Sequence, residues 1–292
     1  MVSEILRPKT LNEAARLALK PGTAVLGGGT WLNSGIAAAD AARSGSTPAG
    51  AAVAAVQTAF GGSSPVALIC LEHLGLDYVE WRNAALRMGA SATFQQVLDA
   101  PGVPAALRDA VAATASRTLR NMVTVGGELG HCPADSVLIP LLAALDARVR
   151  IAGGRSLGID VYRSARAPGP VGLIVEVTAS DADAPCAVAS LARTSHGRRS
   201  LVIAVAAARL HPKVSRVRIV ASDCRGQVLR LVDAEEALEG SALPAKDHVE
   251  KLVRAAFWPT SDIYASTEYK RYLAGVYAAD LLHALAGRQA AS

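Results

Sequence analysis

Apolar and polar positions along this chain switch between two periods, and each switch marks an element. Residues 10–19, TLNEAARLAL, repeat at helical spacing, with Thr10 as N-cap and Glu13 three places on, the pattern of a capping box. GTAVLGGGTWLNSG then runs from a short apolar strand into glycines, and a strand is predicted near 65–74, PVALICLEHL. Two β-like runs within 78–93 form a hairpin joined through Arg82-Asn83. Helical spacing returns in TFQQVLDA and in 104–121, PAALRDAVAATASRTLRN. A β-like run then leads into Gly126-Gly127 and a stretch of mixed loop. DSVLIPLLAALDA is an apolar helix containing Pro140, and a proline fits only the first turn, so the helix is predicted to start near Leu138 or Ile139. RVRIAGG is a further strand and turn.

SARAPGP, at 164–170, breaks the pattern and marks a linker. Beyond it VGLIVEVT, SLVIAVAAARL and VSRVRIVAS have strand character, whereas DAEEALEG, AKDHVEKLVRAAF and STEYKRYLAGVYAADLLHALAG have helical character. Two α+β halves therefore meet near residue 168, in keeping with the 292-residue length. Residues 37–65, rich in Ala, Gly and Ser, stand out as a loop insertion with some helical content.

Composition adds limits. Hydrophobic residues make up 51% and charged residues 19%, enough for a sizeable core, while 4% aromatics mean that Ala, Val and Leu build it. The net charge of +5 favours anionic partners, but the basic residues are scattered and no basic stripe interleaves with aromatics, so no nucleic-acid partner is expected. No apolar run reaches the roughly 18 residues of a membrane span, and MVSEILRPKT has no signal-peptide core, so a cytoplasmic location is expected. Cys70, Cys132, Cys186 and Cys224 lack metal-site spacing and read as unpaired thiols.

The candidate chemistry lies in the glycines. Gly27, Gly28 and Gly29 follow a strand, where backbone N–H groups can either turn the chain or form a nest for phosphate oxygens. The G-x-G-x-x-G dinucleotide fingerprint fails because Leu32 takes the third glycine's place, and no Gly-Lys-Ser/Thr follows for a P-loop. Thr124, Gly126 and Gly127 repeat the arrangement. Two such turns in one half suit a diphosphate held between them, though each alone is equally a simple turn. His131 and Asp135 flank the second turn and read as polar loop residues.

GGGTWLN, RNMVTVGGEL, SVLIPLLAALDARV and STEYKRYLAGV occur in an order and at separations that resemble the FAD-binding medium subunit of the molybdenum hydroxylase family, which includes bacterial xanthine dehydrogenases and the flavoproteins of carbon monoxide dehydrogenases. The resemblance implies an α+β chain. Its FAD-binding domain, of the vanillyl-alcohol-oxidase-like (PCMH) kind, would span 1–165 in subdomains of roughly 1–60 and 61–165, followed by a smaller α+β flavoprotein domain over 170–290. It implies FAD contacts from Val25, Leu26, Gly27, Gly28, Gly29, Thr30, Trp31 and Leu32 in one loop and from Thr124, Gly126, Gly127 and Glu128 in the other. Glu128 stands where relatives often have Asn, and Gly172 where an acidic residue is usual, leaving a backbone contact there. Relatives carry Ser-Asp before the proline-containing helix; here the pair is Ser136-Val137, with a carboxylate one place earlier at Asp135. No lysine near Ser190 to Arg193 matches the one that some relatives direct at the flavin, and the cysteine motif for an extra iron–sulfur cluster is absent. Trp31 would cover the cofactor or pack in the core, and Tyr269, Lys270 and Arg271 would form a solvated or subunit-facing surface.

The resemblance thus implies an FAD-dependent oxidoreductase subunit with no catalytic residue toward the organic substrate. A molybdopterin-binding large subunit and a [2Fe-2S] small subunit would be its partners, and NAD or another acceptor would take the electrons. A flavin-poor scaffold subunit and a stand-alone FAD oxidoreductase are the alternatives.

Overall fold

A computed structural model of the chain describes residues 4–30, 67–165, 172–192, 194, 199–223 and 227–291. Trp31, Leu32, Cys224 and the insertion expected at 37–65 lie outside the described residues.

A small parallel sheet comes first. β1 (Glu4–Leu6), α1 (Leu11–Ala18) and β2 (Thr23–Leu26) form a crossover, and β3 (Ala67–Cys70) pairs with both strands, giving the order β1-β3-β2. The α1 cap is the one predicted: Thr10 Oγ1 accepts from the Glu13 N–H at 3.2 Å. The Glu13 carboxylate closes on the Lys9 N–H at 2.9 Å, one residue before the cap itself.

A five-stranded antiparallel sheet follows, built from β4 (Val79–Arg82), β5 (Ala85–Gly89), β6 (Ala147–Ile151), β7 (Ser156–Gly158) and β8 (Ile174–Ala179) in the order β4-β5-β8-β6-β7. The β4–β5 turn uses Asn83 and Ala84, both at positive φ, one place later than Arg82-Asn83. Helices α2 (Phe94–Asp99), α3 (Ala105–Thr114), α4 (Arg117–Arg120), α5 (Val125–His131), α6 (Leu138–Ala144) and α7 (Ile159–Ala165) belong to this unit. The run 104–121 is broken at Ala115, whose backbone is extended, so one predicted helix becomes α3 and α4. The mixed loop predicted after Gly126-Gly127 is instead α5, with both glycines in its first turn. β8 lies beyond the linker yet enters the sheet between β5 and β6. It turns Val175, Val177 and Ala179 to the core and Glu176 and Thr178 to the other face, the period of two that a one-sided sheet requires.

The third unit is the antiparallel sheet β9 (Cys186–Ala192), β10 (Arg199–Ala206), β11 (Arg218–Asp223) and β12 (Val228–Arg230), ordered β12-β11-β10-β9, with helices α8 (Val232–Leu238), α9 (Lys246–Ala256) and α10 (Thr267–Ala290). β10 is buried on both faces. Val202, Ala204 and Ala206 join the core of the five-stranded unit, whereas Leu201, Ile203 and Val205 join a second core with α9 and α10. α6, buried at every position, packs against β6 on one side and β9, β10, β11 and β12 on the other. A helix apolar all round suits that place between two layers, and Pro140 falls in its first turn as predicted.

The final helix departs from the sequence reading at Lys270. Tyr269 and Tyr272 are exposed, but Lys270 is 0% exposed and donates to the Thr260 carbonyl at 2.7 Å and to Asp262 at 2.9 Å. It ties the segment before α10 to the helix and belongs to no solvated surface.

Candidate functional site

β2 ends at Leu26, and the glycine turn leaves from its carboxyl end, where parallel sheets place ligands. Val25 and Gly27 are exposed, and Leu26, Gly28, Gly29 and Thr30 are half-buried. The second turn comes from Thr124, which caps α5: its Oγ1 accepts from the Gly127 N–H at 3.1 Å.

These two turns touch. A Cβ added at Gly27 would stand 2.7 Å from Thr124 Oγ1 and 3.6 Å from Gly127 Cα. A Cβ at Gly28 would stand 1.4 Å from the Met122 carbonyl oxygen, so only glycine permits this approach. Gly126 is constrained from the other side, its added Cβ falling 2.7 Å from the Ala90 carbonyl oxygen. Glycine inside a helix lowers stability by about 1 kcal/mol relative to Ala, but here it lets α5 press against the backbone of 90–92.

The second turn's amides are largely committed. Val125 N–H donates to the Ala92 carbonyl and Gly126 N–H to the Ala90 carbonyl, each at 2.9 Å, and Glu128 N–H donates to the Thr124 carbonyl. Gly127 N–H differs, because its acceptor is a side-chain hydroxyl and not a backbone carbonyl. The bridge continues from Ala90 N–H to the Val175 carbonyl, and Ala152 N–H donates to the Leu173 carbonyl. Gly172, at φ +123, therefore precedes the β8 end nearest the second turn.

Glu128, 6% exposed, points into the protein. Ser136 Oγ donates to its carboxyl at 2.6 Å and accepts from the Ile139 N–H at 3.2 Å. Ser136, one residue before the N-cap, thus satisfies an amide in the first turn of α6 and joins that helix to α5. Burial pushes the Glu128 carboxyl up to about 7, with nearby Asp135 adding to the rise and Ser136 and Arg199 opposing it. Asp135 is half-buried and His131 exposed.

A second buried carboxyl lies on the other face of the five-stranded sheet. Glu176, 3% exposed, accepts from Tyr78 at 2.5 Å, from Arg87, from Arg150 at 3.3 Å and from Thr178 at 3.1 Å. Burial alone would raise its pKa, but the hydrogen bonds from Tyr78, Arg150 and Arg87 outweigh it and bring it down to about 2. Tyr78 is pushed up to about 12 by burial and by its bond to Glu176. Nothing in the local sequence pointed to this cluster, since its members are dispersed from 78 to 178 and meet through strand register.

Burial raises the Cys70 thiol and takes Cys186 up to about 11, so these two have little reactivity. No group of three metal-ligating side chains occurs among the described residues. A cleft of about 1090 Å³ lies away from the glycine turns, lined by Trp81, Arg209 and Arg288 among others.

Comparison with known proteins bears on these turns. Residues 37–159, which include the second turn, match the family described as the FAD binding domain in molybdopterin dehydrogenase. YgfM of Escherichia coli K12 is 38% identical over 214 residues, 73% of this chain and 78% of that protein. The chain belongs to the FAD-binding subunits of the molybdenum hydroxylases. FAD is the family's cofactor and this chain's. The fold agrees over 99% of the chain with the cyanide-inactivated Cu,Mo-CO dehydrogenase (TM-score 0.78, 20% identity, 99% of that chain). It agrees equally with quinoline 2-oxidoreductase from Pseudomonas putida 86 (TM-score 0.76, 19% identity, 98% of that chain). No helix among the described residues is long and apolar enough to cross a membrane.

Proposed function

We propose that this subunit holds FAD with its diphosphate against the two touching glycine turns and serves as the electron-transfer station of a molybdenum hydroxylase complex. The contact between Gly27 and the Thr124–Gly127 turn carries this reading, because it brings two runs about a hundred residues apart into one backbone-lined surface.

The residues fit such a group. The amides of Gly27, Gly28 and Gly29 and the Thr30 hydroxyl would supply donors from the first turn. From the second, Thr124 Oγ1 already accepts from Gly127, so its own proton can be given to a phosphate oxygen. Gly127 N–H can follow by redirection, whereas the amides of Val125 and Gly126 stay with the 90–92 backbone. Gly172 offers backbone only, and Ser136 and Glu128 hold each other beneath the turn. Asp135, half-buried and one place before the position of the carboxylate that the resemblance implies, is the residue that would replace it.

When bound, FAD can accept electrons singly and pass them on in pairs. The proposed donor is a [2Fe-2S] small subunit, supplied by a molybdopterin-binding large subunit, with NAD or another compound as acceptor. The chain's own residues then need only bind and orient the cofactor; no side chain here abstracts a proton from the organic substrate.

The engagement of the Val125, Gly126 and Glu128 amides favours the second reading, a flavin-poor scaffold subunit. A spectrum separates the two. Purified chain mixed with FAD should retain it stoichiometrically with a shifted flavin band. Absence of binding at micromolar FAD, even beside the partner subunits, would overturn the electron-transfer reading. Gly127→Val should abolish retention while the chain stays folded by circular dichroism, and unchanged occupancy would show that the second turn does not face the cofactor.

A further inference from the structure

Glu128 differs from the other polar groups near the turns in being an acid enclosed by the protein with little to stabilise its charge. Among the described residues, the hydrogen bond to its carboxyl comes from a neutral hydroxyl, Ser136 Oγ. The segment between α5 and α6 brings Asp135, and β10 brings Arg199, whose guanidinium is bonded to the Ala113 carbonyl. α5 itself carries His131, exposed and one turn on. β5 and β8, which pack against α5, give Leu86, Met88, Val175 and Val177 to the core, while their charged Arg87 and Glu176 face the opposite side and bond each other. Glu128 follows Gly127 directly and lies four residues, about 6 Å of helical rise, past Thr124. An ionised carboxylate there opposes any anion seated on that turn, and the surrounding apolar core screens the repulsion poorly.

We propose that Glu128 couples FAD binding to proton uptake: it is neutral when the flavin diphosphate is seated, and its ionised form weakens the seat. In the binding step the carboxylate takes one proton from solvent, its second oxygen gaining the O–H bond while Ser136 keeps donating to the first. Glu128 acts as a positioning residue, because the Glu128–Ser136–Ile139 chain fixes α5 and the turn it carries against α6. The inference rests on the reading that FAD lies against these turns.

The test is FAD titration of the flavin-depleted full chain, followed by calorimetry in two buffers of different ionisation heat. Wild type should take up a proton on binding near pH 7.5, and its Kd should rise about tenfold from about pH 6.5 to about pH 8.5. Glu128→Gln should bind without uptake and with a flat Kd over that range. Tight binding by wild type with no proton uptake overturns the proposal and leaves the FAD reading intact. Binding at no pH overturns the FAD reading first. Uptake that persists in Glu128→Gln assigns the proton elsewhere and also overturns the proposal. Should that variant fail to fold, wild-type calorimetry decides, together with Ser136→Ala, which should move the midpoint of the Kd profile to higher pH; an unmoved midpoint counts against the proposal.

Discussion

Glu176 and Glu128 are 3% and 6% exposed, yet one gives up its proton at about 2 and the other holds it to about 7. Burial opposes ionisation in both. Glu176 accepts hydrogen bonds from two guanidinium groups and a phenol, whereas Glu128 accepts one from a serine hydroxyl, with the nearby charges of Asp135 and Arg199 acting in opposite directions. The number and charge of donors, more than depth, decide the state of a buried acid. The first arrangement locks three strands of a sheet; the second leaves a proton free to respond to whatever is placed beside it.

Breaking the first site should produce the largest effect. Glu176→Leu leaves Arg87 and Arg150 without their shared acceptor. Their side chains are 21% and 37% exposed and can partly hydrate, so the loss should fall near the low end for a broken buried ion pair, about 3 kcal/mol. Urea unfolding with an unchanged m-value checks this, and a loss under about 1 kcal/mol would show the cluster to be ordinary surface pairing.

The pH dependence of stability should separate the two acids by sign. Between 4.5 and about 7 the unfolded chain has released the Glu128 proton and the native chain has kept it, so the unfolded state binds fewer protons and stability falls as pH rises. The full swing is about 3 kcal/mol. Glu176 works in the opposite direction: its contribution is present above 4.5 and lost as pH falls toward about 2. Glu128→Gln should flatten the limb above 4.5 and leave the acid limb, and a stability profile in which both limbs survive would refute the assignment.

Ser136→Ala should cost about 1–2 kcal/mol, since it removes the acceptor of the Ile139 N–H together with the hydroxyl that donates to Glu128. The smallest effect belongs to Asp135→Ala. Removing a like charge should lower the Glu128 pKa by less than about one unit, readable from the same profile. FAD affinity will fall in this variant only if Asp135 takes the place of the aspartate that relatives carry.

Some of this was legible along the chain. Pro140 fixed the start of α6, because a proline is tolerated only in a first turn, and Thr10 fixed the start of α1. The glycine runs marked the two turns. α5 was missed because two glycines argue against a helix, and only the 90–92 backbone, against which Gly126 packs, shows why they are there. β9 was missed because CAVASLA has little alternation of its own, being half-buried along its whole length. Lys270 reads as surface in any local window, and a carboxylate and a carbonyl from 260–262 draw it inside.

The sequence by itself determined the α+β content, the family and the two glycine turns, because these depend on period, order and backbone freedom, all of them local. The tertiary structure alone decided that the turns touch, that β8 returns to the five-stranded sheet past residue 170, and that Glu128 keeps its proton where Glu176 has lost it. A buried acid's proton depends on partners delivered by strand register and helix packing, and those partners come from positions as far apart as 78 and 176.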